Sequence, residues 1–588
     1  MRHSSGSPPG PHTVTAAEVL PGDLLALSER DAAEHTWYAV MHTVPEGPGA
    51  IRLTLRPPLG GTDHEEVVDR TLPVTVSGPR VDVAAVPLVT SSDLDEAAFR
   101  DGDRVTSLRA VDPRAVEQTY VRRWGVWYRD LEDPAGPLLT DGELRELAER
   151  DRDRGHLVRH HARPRRTAHG ARPRRVVVSG LGAVTPLGVG VNELWQGLLG
   201  GRCGIRELAG EEFSGLPVRV AGTVPVDPVP LLPRPQARRM NRAALFGVLA
   251  AREAWRDAGF DTAGTAAGGL DPERVGVSVG AILGDASVLV GGDRALRDRG
   301  PRAVSPLTTP MTVPSQAASQ ISLDLRIRGE ARTLTSACAS GTEAIGQAID
   351  RIRYGHVDVA LAGGAEAVVT PAIMASFAAM RALSHHGVGD VSPSRPFARD
   401  RDGFVNGEGA GFLLLEAEEH ALARRSRVYC EAAGWGLSAD AHHMAAPDPS
   451  GRGVALALRR ALRDAEAHAV DVLHVNAHAT ATPEGDLAEA TALRAVLGGG
   501  VPVTAVKGNL GHLQGAAGGV EAVVTVLTLF HGVVPPTIGG GEGDQDEEIG
   551  LDVVRGAPRP LPDRGDLALS NSFGFGGHNA VLALRRRA

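Results

Sequence analysis

The chain has almost no lysine. Of its 62 lysine and arginine residues 61 are arginine, and Lys507 is the single lysine. Arginine carries a wide, flat and permanently charged guanidinium, whereas lysine places a compact ammonium on a flexible stem. In a chain that uses arginine everywhere else, a lysine is expected where only the compact cation fits. Lys507 lies in VKGNLGHLQGAAGGVEA, a glycine- and alanine-rich turn five residues before His512, so we predict a functional role for it.

Cysteine is scarce as well. The chain has three cysteines, Cys203, Cys338 and Cys430, far apart in sequence. An odd, widely spaced set argues against a disulfide framework and favours a reducing compartment, so we expect a cytoplasmic protein. A lone cysteine is most often buried and inert. The sequences around Cys203 and Cys430 fit that description, and the sequence around Cys338 does not.

Long apolar runs and a strong excess of positive charge are also absent. The longest apolar stretch, residues 520–530, carries Glu521 and is shorter than the roughly 20 residues that a membrane helix needs. The first residues, MRHSSGSPPGPH, have no apolar core, so no signal peptide is expected. The net charge of −9 gives no reason to expect a nucleic-acid partner. We therefore expect neither a membrane nor a nucleic acid among its partners.

Composition changes along the 588 residues predict several segments. Residues 1–12 are predicted to be a disordered tail, residues 13–79 a small β-rich domain (an antiparallel barrel or sandwich), and residues 80–150 a mixed α/β extension with a helix beginning near Asp141. Residues 151–173, dense in arginine and histidine, are predicted to be a solvated linker whose charge could alternatively attract an acidic partner. The rest divides into halves at residues 174–427 and 428–588.

The sequence pattern of the two C-terminal halves is typical of an α/β fold. Continuous apolar runs, such as VVVSGLGAVTPLG, VDVALAGG, DVLHVNAH and DLALSNSFGFGG, are separated by amphipathic helical patterns. Such runs predict a mostly parallel sheet with helices on both faces. The strand, glycine and helix pattern of the first half is weakly echoed in the second, which suggests an internal duplication.

Cys338 is predicted at a turn between a strand and a helix. After it, apolar residues recur at helical spacing from Ala344 to Ile352. A helix N-terminus favours an anion, so this position is expected to lower the pKa of the thiol. Small neighbours in TSACASGTEA leave room for a substrate, and Cys338 is the candidate nucleophile.

Two histidines complete the candidate site. His478 ends an apolar strand in VNAHATATPEGD, and His512 follows the glycine turn in NLGHLQGAAG. Parallel sheets present their chemistry where strands give way to loops, so we predict that both histidines, Cys338 and Lys507 act together. His442 and His443 have no comparable context and are predicted to be structural or exposed.

The C-terminal part of the chain resembles a known family. From about Arg174 to the end it is similar to the β-ketoacyl-acyl carrier protein synthases of the thiolase superfamily, and most similar to the elongating type II enzymes. The resemblance rests on ordered strings, which are VVVSGLGAVTPLG, TSACASGTEA, VALAGGAEA, SRPFARDRDGFVNGEGAGFLLLE, VNAHATATPEGD, VKGNLGHLQGAAGGVEA and SNSFGFGGHNA. It implies a thiolase-like, five-layered αβαβα fold of two similar halves, preceded here by the β-rich extension, and a homodimer.

The resemblance also implies roles for individual residues. By that analogy Cys338 accepts an acyl chain from acyl carrier protein, and His478 and His512 help to decarboxylate malonyl-carrier protein and stabilise the enolate. Lys507 would support the histidine geometry, with Glu521 in the same network. The backbone N–H groups of Phe575 and Cys338 would form the oxyanion hole. The resemblance also implies that Phe575 acts as a gate and that Thr480 and Gly576 support the site. It implies that the reaction uses neither a metal nor a cofactor.

Two residues depart from the family pattern. Ala479 replaces the usual glycine after His478 and is expected to strain a turn that favours positive φ. His578 stands where threonine is common and remains unexplained.

One alternative function is that of a non-elongating scaffold or chain-length subunit, although such subunits typically lack the cysteine. A degradative thiolase is expected to use a second cysteine near the C-terminus. No cysteine follows Cys430 in the sequence, which argues against that function. Residues 1–170 could dock a carrier protein or partner enzyme, wrap a dimer or bind a ligand.

Overall fold

The computed structural model describes residues 173–587, except 261–269, 390–391 and 541–542, and before residue 173 it describes strands alone. The chain divides into two compact units, residues 1–165 and 166–588. Among the helices that the structure describes, none is long and apolar enough to cross a membrane.

The strands of the first unit form two antiparallel sheets. The first sheet has the order β1-β6-β2-β3-β4-β5 and the second β11-β10-β9-β8-β12-β7. The strands are β1 (His12–Thr15), β2 (Leu24–Ala26), β3 (Tyr38–Pro45), β4 (Ala50–Arg56), β5 (His64–Asp69), β6 (Pro73–Ser77), β7 (Leu88–Val89), β8 (Arg104–Leu108), β9 (Gln118–Arg123), β10 (Val126–Arg129), β11 (Leu139–Thr140) and β12 (His156–His160).

Most of the predictions for this unit stay predictions. The tail at residues 1–12 (apart from His12, which begins β1) and the helix near Asp141 lie outside the described residues, and the domain boundaries are not tested. One difference is visible. Strand β12 lies within residues 151–173, the predicted linker, and pairs with β8 and β7.

The second unit is an α/β structure. Its strands are β13 (Val176–Thr185), β14 (Gly188–Val189), β15 (Ile205–Glu207), β16 (Val220–Gly222), β17 (Val275–Gly280), β18 (Glu330–Leu334), β19 (Val359–Ala367), β20 (Glu408–Ala417), β21 (Cys430–Ala439), β22 (Val472–Asn476), β23 (Pro502–Thr504), β24 (Val533–Val534), β25 (Asp552–Val553), β26 (Arg559–Pro560), β27 (Leu567–Gly574) and β28 (His578–Arg586). Its helices are α1 (Val191–Leu199), α2 (Arg234–Ala237), α3 (Arg242–Asp257), α4 (Ala286–Arg299), α5 (Thr308–Thr312), α6 (Gln316–Leu325), α7 (Ser340–Arg353), α8 (Pro371–Ala379), α9 (Glu418–Ala423), α10 (Arg452–Asp464), α11 (Pro483–Leu497), α12 (Lys507–Leu510) and α13 (Ala517–His531).

The main sheet is built from two halves with the same strand order. The first half runs β18-β17-β19-β20-β13, and the second runs β21-β28-β27-β22-β23, with β25 added at its edge. Among the five strands that the halves share, the two pairings farthest from the junction are parallel and the two nearest it are antiparallel; β25 pairs in parallel with β23. The halves meet where β13 pairs with β21. The internal duplication suggested by the sequence is therefore present in the topology.

Three helical layers cover the two halves. Helices α3 and α6 pack on the outer face of the first half, and α10 and α11 pack on the outer face of the second. Helices α7 and α13 lie between the halves, where their apolar residues join those of both. Along β20, Phe412 and Leu414 face the outer layer while Leu413 and Leu415 face the central one. This alternation, which follows from the two-residue period of a strand, gives the five-layered α/β arrangement.

The prediction of a mostly parallel sheet is wrong, because antiparallel pairings in each half make the sheet mixed. The four apolar runs quoted above do form strands, namely β13, β19, β22 and β27. Strands become apolar on both faces when helices cover both faces. An apolar run therefore reports coverage of the sheet and not the direction of its strands.

Candidate functional site

Cys338 lies in the tight turn between β18 and α7. The side chain is 5% exposed, and Ala337 before it has a positive φ of 50°, which is uncommon for a residue with a β-carbon. The backbone N–H of Ser336 donates to Ser340 Oγ at 2.9 Å, which closes the turn. The structure thus places Cys338 at the strand-to-helix turn that the sequence predicts, two residues before the first helical residue.

The expectation that this turn lowers the thiol pKa is wrong for the free protein. Burial raises the pKa of Cys338 to about 12. The charge of Lys507 and the backbone N–H groups of Phe575 and Cys338 act in the opposite direction but do not outweigh burial. A desolvated thiol favours its neutral form, so Cys338 rests as a thiol.

His512 faces the sulfur of Cys338. Its Nε2 lies 3.0 Å from Cys338 Sγ, and its Nδ1 accepts the backbone N–H of Gln514 at 3.4 Å. Because Nδ1 accepts, the proton of the neutral ring belongs on Nε2. His512 follows the one-turn helix α12 and not a strand directly, which differs from the predicted placement.

Lys507 connects the second histidine to a buried carboxylate. Its Nζ lies 3.4 Å from His478 Nδ1 and donates to the carboxylate of Glu521. Lys507 is 1% exposed and is among the largest fully buried side chains in the described part of the chain. Because the ammonium donates to Nδ1 of His478, this ring also carries its proton on Nε2.

Both imidazoles are held neutral. Burial, the charge of Lys507 and, for His478, the neighbouring His512 lower the pKa of each ring well below 6.5. The rings stand 5.3 Å apart at 87° to each other. Burial also raises the pKa of Glu521 to about 7 although Lys507 opposes this change. The site therefore presents two neutral Nε2–H donors beside one buried cation.

Two buried carboxylates hold the turn after His478. Glu489 on α11 accepts the backbone N–H groups of His478 at 2.9 Å and Ala479 at 2.8 Å. Asp486 accepts the N–H of Ala481 at 3.0 Å. Ala479 and Ala481 have positive φ values of 28° and 66°, so the strain expected from the alanine at 479 is present. The hydrogen bonds fix the turn in spite of that strain.

The segment from Phe573 to Gly577 forms the other wall. The backbone N–H of Phe575 faces the sulfur of Cys338, while its side chain packs on a small apolar cluster that includes Phe404 and Met374. Gly576 is exposed and has a φ of 83°, a conformation that favours glycine. His578 is exposed at the start of β28, and the structure gives no account of its identity.

Thr480 lies beside the turn that carries His478. Its hydroxyl is 3.1 Å from the hydroxyl of Thr482, and either can donate. Both side chains are partly exposed. They offer polar groups next to the buried site.

The other cysteines and histidines lie outside this site. Cys430 is buried, and burial raises its pKa. Cys203 is exposed, so its predicted burial is wrong; it follows the end of α1 in a surface turn, with Sγ 3.6 Å from Ser392 Oγ. His442 and His443 are both exposed.

Sequence reasoning missed three site residues. Gln514 Oε1 lies 3.6 Å from Cys338 Sγ, and Gln514 Nε2 donates to Asn406 Oδ1 at 3.0 Å. Glu489 holds the His478 turn, as described above. Gln514 lies inside the GHLQGAAG string that identified His512, so a polar residue in an otherwise apolar motif was the available signal. The other two lie in separate segments whose proximity only the fold reveals.

This arrangement has a defined chemical capacity. A thiol with two backbone N–H groups beside it can exchange a thioester through a tetrahedral intermediate. Two neutral Nε2–H donors can stabilise an oxygen anion without protonating a neighbouring carbanion. In the part of the chain that the structure describes, no group of three or more His, Cys, Asp and Glu side chains could hold a metal ion.

Comparison with family models agrees with this capacity. Residues 173–421 match the model of the N-terminal domain of β-ketoacyl synthases, and residues 429–540 match the model of their C-terminal domain. The 3-oxoacyl-[acyl-carrier-protein] synthase 2 of Synechocystis sp. is 40% identical over 417 residues, which are 70% of this chain and 98% of the relative. The enzyme of the same name from Vibrio cholerae is 39% identical over 418 residues, 70% of this chain and 99% of that one.

Solved structures show the same likeness in three dimensions. The ishigamide ketosynthase/chain length factor matches with a TM-score of 0.64 and 35% identity, and a β-ketoacyl synthase from Burkholderia phymatum with 0.64 and 33%. A type II PKS acyl-carrier protein in complex with its ketosynthase bound to the hexaketide matches with 0.64 and 30%. Each match covers 71% of this chain and 100% of the other. The thiolase-like fold with two similar halves is confirmed.

Proposed function

The chain belongs to the β-ketoacyl synthase family, and from that premise we propose that it joins an acyl group held on Cys338 to a malonyl group held on an acyl carrier protein. It is an acyltransferase of fatty-acid or polyketide biosynthesis. The observation that carries the assignment of residues is the 3.0 Å approach of His512 Nε2 to Cys338 Sγ, within a buried site that also holds His478 and Lys507.

The first step is transfer of the acyl group to Cys338. The sulfur attacks the carrier's thioester carbon, the Cys338 S–C bond forms, and the carrier's C–S bond breaks. The proton of Cys338 ends on the carrier's thiol. The N–H groups of Phe575 and Cys338, which face the sulfur, donate to the oxyanion of the intermediate. His512 Nε2–H and the charge of Lys507 favour the thiolate as the bond forms.

The second step is decarboxylative condensation. The malonyl carboxylate leaves as CO2, and the electron pair forms an enolate on the carrier-bound thioester. His478 and His512 donate from Nε2 to the enolate oxygen; because both rings are neutral, the carbon is not protonated prematurely. The carbon then attacks the acyl carbonyl on Cys338, the S–C bond breaks, and the sulfur takes up one proton.

Lys507 and Glu521 act through the histidines. The ammonium at 3.4 Å from His478 Nδ1 fixes the tautomer of that ring and keeps its pKa low. Glu521 on α13 holds the ammonium in place. Both are positioning residues in this scheme.

The surrounding loops control access. Phe575 is proposed as a gate because its side chain packs on the small apolar cluster while its N–H faces the sulfur. Gly576 allows the backbone of the gate to turn, and Thr480 offers a hydroxyl to the arm of the carrier protein. No cofactor is needed in this scheme, because both acyl groups arrive activated as thioesters.

We also propose that the enzyme is a homodimer in the cytoplasm. Helix α4 has no buried residue over its 14 positions, and Leu289, Val290 and Leu296 on it are 56%, 47% and 46% exposed. Strand β18 lies at the edge of the main sheet. Exposed apolar surface and an open sheet edge each favour a protein partner, and we propose a second copy of the chain as that partner. A reducing compartment suits the free thiol of Cys338.

The alternative of a non-elongating scaffold subunit receives less support. The site contains the nucleophile, both histidines and the lysine in mutually consistent hydrogen bonding, which a scaffold does not require. Residues 1–170 are proposed to dock the carrier protein or a partner enzyme. A chain that begins at residue 173 tests this idea: unchanged turnover with every carrier protein offered would remove it.

The direct test is incorporation of labelled malonyl carbon from malonyl-carrier protein into a longer β-ketoacyl product. Wild type and the exposed-cysteine control Cys203→Ala are expected to form the product, and Cys338→Ala is not. Product formation by Cys338→Ala would show that another residue is the nucleophile.

A further inference from the structure

Gln514 places a fixed hydrogen-bond acceptor beside the nucleophile. The residue is 3% exposed and lies in the turn after His512, with a backbone φ of 52°. Gln514 Oε1 lies 3.6 Å from Cys338 Sγ. The thiol proton can reach this oxygen, given the large radius of sulfur.

The orientation of the Gln514 amide follows from its neighbours. Asn406 Nδ2 donates to the backbone carbonyl of Val368 at 3.3 Å, and a carbonyl can only accept. Asn406 therefore turns Oδ1 towards Gln514 and accepts from Gln514 Nε2 at 3.0 Å. Because Gln514 Nε2 faces Asn406, the other end of the amide, the acceptor Oε1, faces the sulfur of Cys338.

Acylation of Cys338 removes the hydrogen-bond donor that faces Gln514 Oε1. In the free enzyme Cys338 S–H is the donor available to Oε1 among the described residues. When the Cys338 S–C bond forms, the proton leaves on the carrier's thiol, and a saturated acyl chain brings no donor in its place. A buried acceptor without a donor is unfavourable. A hydroxyl on the β-carbon of the acyl group can restore the hydrogen bond, because the first carbons of a chain on Sγ must pass beside Oε1.

We propose that Gln514 is a specificity-determining residue that selects acyl chains with a hydroxyl close to the thioester over saturated ones. This inference rests on the proposed function, since it requires that Cys338 carries the acyl group. It deepens that function by naming the substrate class: β-hydroxyacyl groups on a carrier protein. Asn406 is the positioning residue, because it fixes which end of the Gln514 amide faces the chain.

The test uses intact mass spectrometry to measure how fast Cys338 is acylated by β-hydroxybutyryl-carrier protein and by butyryl-carrier protein, and compares the two rates. Wild type is expected to load the hydroxylated group faster by on the order of tenfold, the ratio that one buried unpaired acceptor produces. Gln514→Leu, which removes the acceptor at similar volume, is expected to bring the ratio close to one by raising the rate with butyryl. Leu513→Met is the matched control, because it changes a buried apolar neighbour that has no side-chain hydrogen-bonding group, and it should keep the wild-type ratio.

A second readout separates this role from a structural one. Gln514→Leu is expected to shift the pH profile of Cys338 alkylation to lower pH, because it removes the acceptor that stabilises the S–H form. Equal loading rates for the two acyl groups in wild type, or a ratio unchanged in Gln514→Leu, would overturn the inference while leaving the proposed function intact. Loading of neither group at Cys338 would instead contradict the proposed function.

Discussion

Replacing Lys507 by arginine, the residue that the rest of the chain uses, separates shape from charge. Lys507 Nζ meets His478 Nδ1 at 3.4 Å and donates to Glu521, in a site where lysine, histidine and carboxylate are each almost completely buried. Lys507→Arg keeps the positive charge, so a role of charge alone would leave the rate nearly unchanged. The guanidinium is wider and donates in a fixed plane. It must therefore displace His478 or Glu521.

The magnitude follows from packing and geometry. Adding volume to a close-packed interior costs about 1–3 kcal/mol, so the variant should fold with a reduced melting temperature. A displacement of a site group by roughly 1 Å can cost about a hundredfold in rate. We expect Lys507→Arg to reduce kcat for condensation by at least about tenfold.

The assay is steady-state condensation with malonyl-carrier protein, together with thermal unfolding of the same preparation. Arg399→Lys makes the reverse exchange at an exposed ion pair with Glu547 and serves as the matched control, with wild-type rate and stability expected. A folded Lys507→Arg variant with the wild-type condensation rate would refute the reasoning and indicate that the single lysine survives at this position by chance.

Other predictions concern the thiols, a buried histidine and a strained turn. In the free enzyme near pH 8, iodoacetamide should modify exposed Cys203 well before Cys338, whose pKa burial raises to about 12; peptide mass mapping reads the order, and faster reaction at Cys338 would contradict it. Among the residues that the structure describes, neither ring nitrogen of His474 has a hydrogen-bond partner, and burial with the charge of Arg559 lowers its pKa from 6.5 to about 3. Because the unfolded chain binds a proton below pH 6.5 that the folded chain does not, wild type should lose up to about 1.4 kcal/mol of stability per pH unit as the pH falls below 6.5. His474→Phe should weaken that dependence in denaturant titrations, and an identical dependence would show that His474 is not its source. Ala479→Gly should raise the free energy of unfolding by up to about 1 kcal/mol, because φ there is 28°; a fall would show that the turn is not strained.

Local patterns explain why the nucleophile and its partners could be found from the sequence. Cys338, His478 and His512 each lie where a regular element ends, and small residues around them mark tight turns. The duplication was also visible, because each half repeats the same order of strand and helix. These features depend on neighbours in sequence, which the letters display.

Features that depend on distant segments could not be predicted. The raised pKa of Cys338 comes from burial by the surrounding fold, and the charge of Glu366 on β19 acts in the same direction. The acceptor role of Gln514 depends on Asn406, 108 positions earlier. Strand direction escaped prediction because helices on both faces make parallel and antiparallel strands equally apolar.

The central claim is that Cys338 carries the acyl group within this site. Intact mass spectrometry after incubation with an acyl-carrier protein, followed by peptide mapping, tests it most directly. One acyl group is predicted per chain, on the peptide that contains Cys338, and none in Cys338→Ala. An acyl group on Cys203 or Cys430, or none on any cysteine of a folded wild-type chain, would contradict it.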